Sequence, residues 1–291
     1  MFLHLLISGL SNGSIYSITA MGLVFIYKAS TVVNFSHGEA FMLGGFLGYT
    51  IHVIFKLPFW GTLIFIIILS FLIGVVTERL VYRPLIHSSI VSLVLATVGF
   101  SFVIKGIARG IWGGKGEYIP FPPAFGSEPI EMAGMIFFPQ HVIIVLGALI
   151  FMVTFGAIFK FTKLGKMMRA TAENQRAASL VGIRVERISS IIWGIGILAG
   201  AMAGILSAPM TLLYPDIGGT LLMKAFAAAV LGGIDSITGA ILGGISMGLI
   251  ENLAGGYIST SLIDLSPFVV IIIVLIVRPR GFFGSKIIKK V

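Results

Sequence analysis

What most constrains this chain is a series of apolar runs, each near the length needed to cross a hydrocarbon layer. They are Phe2–Tyr27, Gly38–Phe55, Phe59–Thr77, Ile90–Gly110, Gln140–Lys160, Ile188–Leu213, Leu221–Leu253 and Leu265–Val277. A membrane helix takes about 20 mostly apolar residues. Leu221–Leu253 reads as two segments, broken near Gly232–Thr238. Only 11% of the residues are charged and 57% are hydrophobic. A soluble surface needs about 25% charged residues, and disorder needs low hydrophobicity, so both are excluded. The expectation is an all-α, polytopic integral membrane protein of about eight transmembrane segments, some of them broken or re-entrant. The runs leave no room for a soluble domain, so residues 1–291 read as one transmembrane domain.

Lys and Arg collect on the cytoplasmic side of short loops. Lys160–Arg187 carries seven basic and two acidic residues, a net +5. Residues 278–291 carry five basic residues and no acid, also +5, and Arg79 and Arg83 follow the third run. Ile111–Pro139 sets Lys115 against Glu117, Glu128 and Glu131, a net −2. This pattern puts 160–187 and the tail 278–291 in the cytoplasm, and 111–139 and the N-terminus outside. The overall +9 is therefore a topology signal, and no nucleic-acid partner is expected. No Lys or Arg precedes Lys28, so the first run reads as a retained membrane helix rather than a signal peptide.

Two polar breaks interrupt the runs. Lys28–His37, followed by Gly38 and Glu39, is rich in Ser, Thr and Asn. It is either an ordinary cytoplasmic turn capped by Asn34 and Ser36, or a discontinuity whose following half-helix turns its N-terminus to a cavity. Such an N-terminus favours a carboxylate through its free N–H groups and dipole. Tyr214–Thr220 breaks the second half before the segment that carries Lys224. The strings beginning at Glu39 and at Lys224 look alike, each ending in a Gly pair. Glu39, Lys105, Lys224, Asp235 and Glu251 lie in or near apolar runs, where a charge at the bilayer centre costs about 2.5–3.5 kcal/mol. Lys105 is expected to snorkel to the outer interface and Asp235 to sit between helices. Glu39, Lys224 and Glu251 need a cavity or a partner, or serve only to fix helix register. Asn34, His37, Glu39, Asp216 and Lys224 are the candidate residues of a translocation path. Gly196, Gly200 and Gly204 recur on one helical face, as do Gly9/Gly13, Gly44/Gly48, Gly239/Gly243 and Gly244/Gly248. They predict close helix packing.

In the basic loop, Lys163–Gly165 reads as loop, and Met167–Ile183 as one short amphipathic helix stopped by Gly182. Met168, Ala172 and Leu180 would share one face, and Arg169, Glu173 and Arg176 another. Such a helix can press into a groove on a cytoplasmic partner; the alternative is a solvated loop. No phosphate-cradling Walker loop, zinc-binding His pair or nucleophile elbow occurs. The five His are scattered and there is no Cys. No catalysis, cofactor or metal is expected.

Three stretches together resemble the LivH-type permeases of branched-chain amino acid ABC importers: Gly13–Tyr27 with Val33–Glu39; Arg169–Asn174 with Ala177–Ile183; and Lys224–Ile234 with Arg278–Gly284. They span nearly the whole chain in family order. The resemblance implies a permease subunit of an inner-membrane importer for amino acids, most often Leu, Ile or Val, with related permeases serving urea or short amides. Its implied partners are a second permease (LivM-like, or a second copy), two cytoplasmic ATPases and an external amino-acid-binding protein. It also implies that Ala177–Gly182 docks on an ATPase, making Arg169, Glu173, Ala177, Ala178 and Gly182 the candidate coupling residues. The rival reading is a self-sufficient secondary transporter or channel for a small polar solute.

Overall fold

The computed structural model describes residues 1–86, 88–113, 118–123, 130–132 and 135–284. His87, much of the acidic loop 111–139 and the tail from 285 lie outside the described residues. Nine apolar helices carry the fold: α1 Phe2–Ser30, α2 His37–Tyr49, α3 Phe59–Thr77, α4 Ile90–Trp112, α5 Pro139–Phe161, α8 Val185–Ser207, α9 Ile217–Gly232, α10 Ile237–Tyr257 and α11 Leu262–Val277. Two short helices, α6 Lys163–Glu173 and α7 Gln175–Leu180, fill the basic loop. A small antiparallel hairpin, β1 Ile130–Met132 with β2 Met135–Phe137, precedes α5.

Among the described residues, six helices are long and apolar enough to cross a membrane: residues 2–30, 59–85, 90–112, 139–161, 185–210 and 237–257. α9 and α11 have 16 residues each. At 1.5 Å per residue such a helix reaches about 24 Å, short of the roughly 30 Å hydrocarbon core. α2 has 13 residues and continues through a π-helical turn, Thr50–Ile54. The all-α polytopic architecture holds, with the long seventh run resolved into α9 and α10.

α1 and α8 form the buried axis. Along the α1–α10 contact, Gly13 lies against the backbone of Gly244 and Ile245, and Gly9 against Gly248 and Leu249. Without Cβ atoms these antiparallel backbones meet directly. Ser17 Oγ then donates to the carbonyls of Gly13 and Ile241, each at 2.7 Å. The α8 glycine stripe works the same way: Gly196 meets Ile26, Gly200 meets Ala40, and Gly204 meets the backbone at Phe41. The apolar outer faces of α3, α4 and α5 stay exposed, through residues such as Phe65, Leu95 and Ile150, as lipid contact requires.

The basic loop departs from expectation in two ways. Lys163–Gly165 is the first turn of α6, not loop, because Thr162 Oγ1 accepts from Gly165 N at 3.1 Å. The single helix expected over 167–183 is two helices. Asn174 ends the first and caps the second, its Oδ1 accepting from Ala177 N at 3.0 Å. A short polar side chain competes for backbone N–H groups and so favours a cap over a helix interior. Leu180 therefore leaves the face of Met168 and Ala172 and is 87% exposed. Gly182 is the helix stop expected: it has φ 85°, Ile183 N donates to Ala178 O, and Gly182 N donates to Ser179 O.

Candidate functional site

α1 ends where Thr31 adopts a left-handed conformation. Residues 32–36 then fold back without helix, and Val32, Asn34 and Ser36 are buried. Asn34 Oδ1 accepts from Ser36 N at 3.0 Å and Ser36 Oγ at 2.7 Å, a local turn that launches α2 at His37. His37 Nε2 lies 3.0 Å from the carbonyl of Thr19, eleven residues before the end of α1. At 1.5 Å per residue that is about 16 Å in from the helix end. An ordinary surface turn does not fit this depth. α2 begins inside the bundle, and Gly200 of α8 faces the His37 carbonyl.

The second break does the same from the other side. After α8 and the turn Ala208–Met210, residues 211–216 return into the bundle, and α9 starts at Ile217. The two helix starts meet at Gly38 and Gly218. A Cβ on either glycine would collide with the other's carbonyl, so only glycine permits this crossing. From there the helices diverge. α2 follows α8 toward Gly204 and Ile205, while α9 runs to Gly232, whose carbonyl accepts from Phe283 N at 2.9 Å.

A chain of charges crosses this point. Glu39, 2% exposed, lies 3.5 Å from Lys105 Nζ, which is 3.7 Å from Asp216 Oδ1. Arg109 reaches Asp216 Oδ2 at 2.7 Å. Two acids and two bases thus lead from the buried helix starts to the half-exposed Asp216 and Arg109. Glu39 Oε2, Asn34 Nδ2 and His37 Nδ1 make no hydrogen bond among the described residues. Buried polar atoms in that state require water or a ligand. Glu39 and Asp216 are thus joined through Lys105, and Asn34 and His37 stand just before Glu39 on the same break.

Lys224 is not part of that group. It is the eighth residue of α9 and pairs with Glu251 of α10 at 2.7 Å, with its Nζ 5.8 Å from the centre of the Tyr16 ring. It lines a separate cavity of about 390 Å³ with Asn12, Tyr16, Phe41 and Thr220. The strings at Glu39 and Lys224 occupy unlike places, the first turn of α2 and the middle of α9; the positions that match are Gly38 and Gly218. Lys105, expected at the outer interface, lies between Glu39 and Asp216 at 17% side-chain exposure. Arg109 escaped the sequence reading, although Lys105 and Arg109 stand four residues apart and so share one face of α4. Asp235 does lie between helices, in the turn after α9, where its carbonyl accepts from Lys28 Nζ at 2.6 Å.

In the basic loop the candidate coupling residues divide by face. Arg169 turns inward: its guanidinium donates to the carbonyl of Phe159 and lies over that residue's ring. Ala178 is buried, and Gln175 Nε2 donates to Ala29 O at 2.9 Å, tying α7 to the end of α1. Glu173, Ala177 and Gly182 face outward beside Leu180 and Val181.

Residues 5–277 match the family described as the permease component of branched-chain amino acid transport systems. The chain is 30% identical to the high-affinity branched-chain amino acid transport permease LivH of Salmonella typhimurium, over all of this chain and 98% of that one. It is 30% identical over the same shares to the permease BraD of Pseudomonas aeruginosa. A probable LivH of Methanocaldococcus jannaschii is 26% identical, over 94% of this chain and 91% of that one. Among solved structures, PsaBC from Streptococcus pneumoniae in complex with Fab superposes with a TM-score of 0.51 at 14% identity, covering 96% of this chain and 93% of that one. That likeness concerns the fold alone.

Proposed function

The chain belongs to the family of branched-chain amino acid transport permeases, and from that premise we propose that the crossing of α2 and α9 is where the solute passes. The protein is the permease subunit of an ABC importer. Its solute is an amino acid, with Leu, Ile and Val the first candidates by its relatives. The observation that carries the reading is the meeting of two half-helix starts at Gly38 and Gly218, beside a buried carboxylate with an unpartnered oxygen.

The chemistry suits a zwitterion. Helix N-termini favour a carboxylate, while Glu39 and Asp216 offer charge to an ammonium group. Because Lys105 and Arg109 balance the two acids, the lining has no net charge, and a zwitterion passes without selecting for either ion. Asn34 and His37 add neutral polar atoms. Lys224, on the wall of the adjoining 390 Å³ cavity, stands at the approach to the crossing. Weak contacts suffice where an external binding protein selects and delivers the solute.

The partner set we infer is a second permease, LivM-like or a second copy, with two cytoplasmic ATPases and an external amino-acid-binding protein. α6 and α7 dock on an ATPase through Glu173, Ala177 and Gly182, with Arg169 and Ala178 holding them to the bundle. This requires 160–187 to be cytoplasmic. With nine apolar helical segments among the described residues, an odd number, the N-terminus is then outside and the tail inside.

The test is Glu39→Gln, which keeps the shape and removes the charge. Uptake of labelled leucine into cells carrying the full importer should fall at least tenfold, with normal membrane levels and normal recovery of the ATPases on purification. Unchanged uptake would refute the crossing as the route. Purification without any ATPase, with uptake driven by an ion gradient alone, would favour the secondary-transporter reading.

A further inference from the structure

α3 and α5 both rest on α8 yet scarcely touch each other. The gap between them is a groove of about 570 Å³ walled by Ile68, Phe71, Leu72, Phe155, Ile191 and Ile195. Its wall is nearly all carbon and lies within the spanning part of α3. At the end nearer the basic loop it shares Phe71 and Ile191 with a second hollow of about 730 Å³, lined by Arg79, Arg83, Arg184 and Arg187 with Ser179 and Ser190.

Of these arginines, Arg83 is committed to the fold. It donates to Glu78 at 2.9 Å, Glu186 at 3.1 Å and Ser190 at 2.9 Å, fastening the end of α3 to the start of α8. Among the described residues, Glu186 is the only acid lining the hollow. Arg79, Arg184 and Arg187 are exposed and form no ion pair among the described residues. Three uncommitted guanidinium groups thus crown a hydrocarbon groove at one membrane surface.

We propose that this is a binding site for one anionic phospholipid, its phosphate on Arg79, Arg184 and Arg187 and an acyl chain in the groove between α3 and α5. Guanidinium groups pair with phosphate oxygens in a bidentate fork, and basic pockets between membrane helices take anionic head groups. The order of the lining, cations first and then only carbon, follows the order of groups along a lipid. A soluble ATPase reaches the arginines but not a groove inside the span.

The full-length protein in nanodiscs of mixed phosphatidylcholine and phosphatidylglycerol tests this, by counting lipids retained in native mass spectrometry. The wild type should retain phosphatidylglycerol preferentially. Arg184→Gln with Arg187→Gln should lower that retention about 25-fold, at roughly fivefold per basic residue near a membrane surface. Lys163→Gln with Lys166→Gln, the same charge change on the same loop, should leave it unchanged. Leu72→Trp, which fills the groove and keeps every arginine, should lower it as well. No preference for phosphatidylglycerol, an equal effect of the lysine pair, or full retention in Leu72→Trp would each overturn the site. So would cross-links placing a partner subunit in the groove with no lipid there.

Discussion

At the scale of single residues, the contact between Gly38 and Gly218 decides whether the two helix starts can cross. Either Gly38→Ala or Gly218→Ala puts a methyl group onto the other helix's backbone carbonyl, and overpacking of this kind costs about 1–3 kcal/mol. Both variants should melt earlier in detergent and reach lower membrane levels. Gly219→Ala is the control, since only the flexible Lys105 Nζ lies near, at 3.9 Å; its melting temperature should stay within error of wild type. The Lys224–Glu251 pair separates structure from transport. Lys224→Met leaves Glu251 buried and uncompensated, a loss of about 3–5 kcal/mol. Adding Glu251→Gln should restore assembly. Uptake should stay low in the double variant if Lys224 also guides the solute; full recovery would make the pair purely structural.

At the scale of elements, α7 is a six-residue helix held at both ends and open along one side. Asn174 caps its start, Gly182 turns its end, and Gln175 anchors it to α1, while Leu180 projects into solvent. An exposed leucine at the tip of a fixed helix suits a protein groove. Leu180→Arg should leave the melting temperature unchanged, since nothing packs against that side chain, yet weaken ATPase recovery on purification and lower transport. Asn174→Ala should act differently: losing the cap costs about 0.5–2 kcal/mol, loosening α7 and lowering coupled transport while the spans stay folded. Equal ATPase recovery and uptake in both variants would exclude α7 as the docking element.

At the scale of the molecule, the charge asymmetry predicts which side each loop faces, and a chain without cysteine makes the test direct. Ser179 in α7 and Ser259 after α10 are both exposed. An impermeant thiol reagent on intact cells should label Ser259→Cys and spare Ser179→Cys, with both labelled after permeabilisation. The reverse pattern would invert the orientation.

Hydrophobic run length, glycine spacing and loop charge are local properties, so the sequence alone determined the all-α membrane class, nearly every spanning segment and the close packing along α8. It also marked both breaks, because Asn34, Ser36 and the stretch at Tyr214–Thr220 cannot sit in lipid as continuous helix without partners. What it left open was depth and pairing. Whether Lys28–His37 is a surface turn or a dip into the bundle depends on how far α2 folds back along α1, where His37 meets Thr19, and on Gly200 of α8, which is remote in sequence. Glu39 finds Lys105 rather than Lys224, and Lys224 finds Glu251, because a buried charge takes whichever opposite charge the packing brings within reach. The two Gly-ended strings look alike yet start in the first turn of α2 and in the middle of α9, since similar composition does not fix a residue's place along its helix. Only the tertiary structure set Gly38 against Gly218, because that crossing is a contact between two backbones and depends on where α1, α8 and α10 hold the chain.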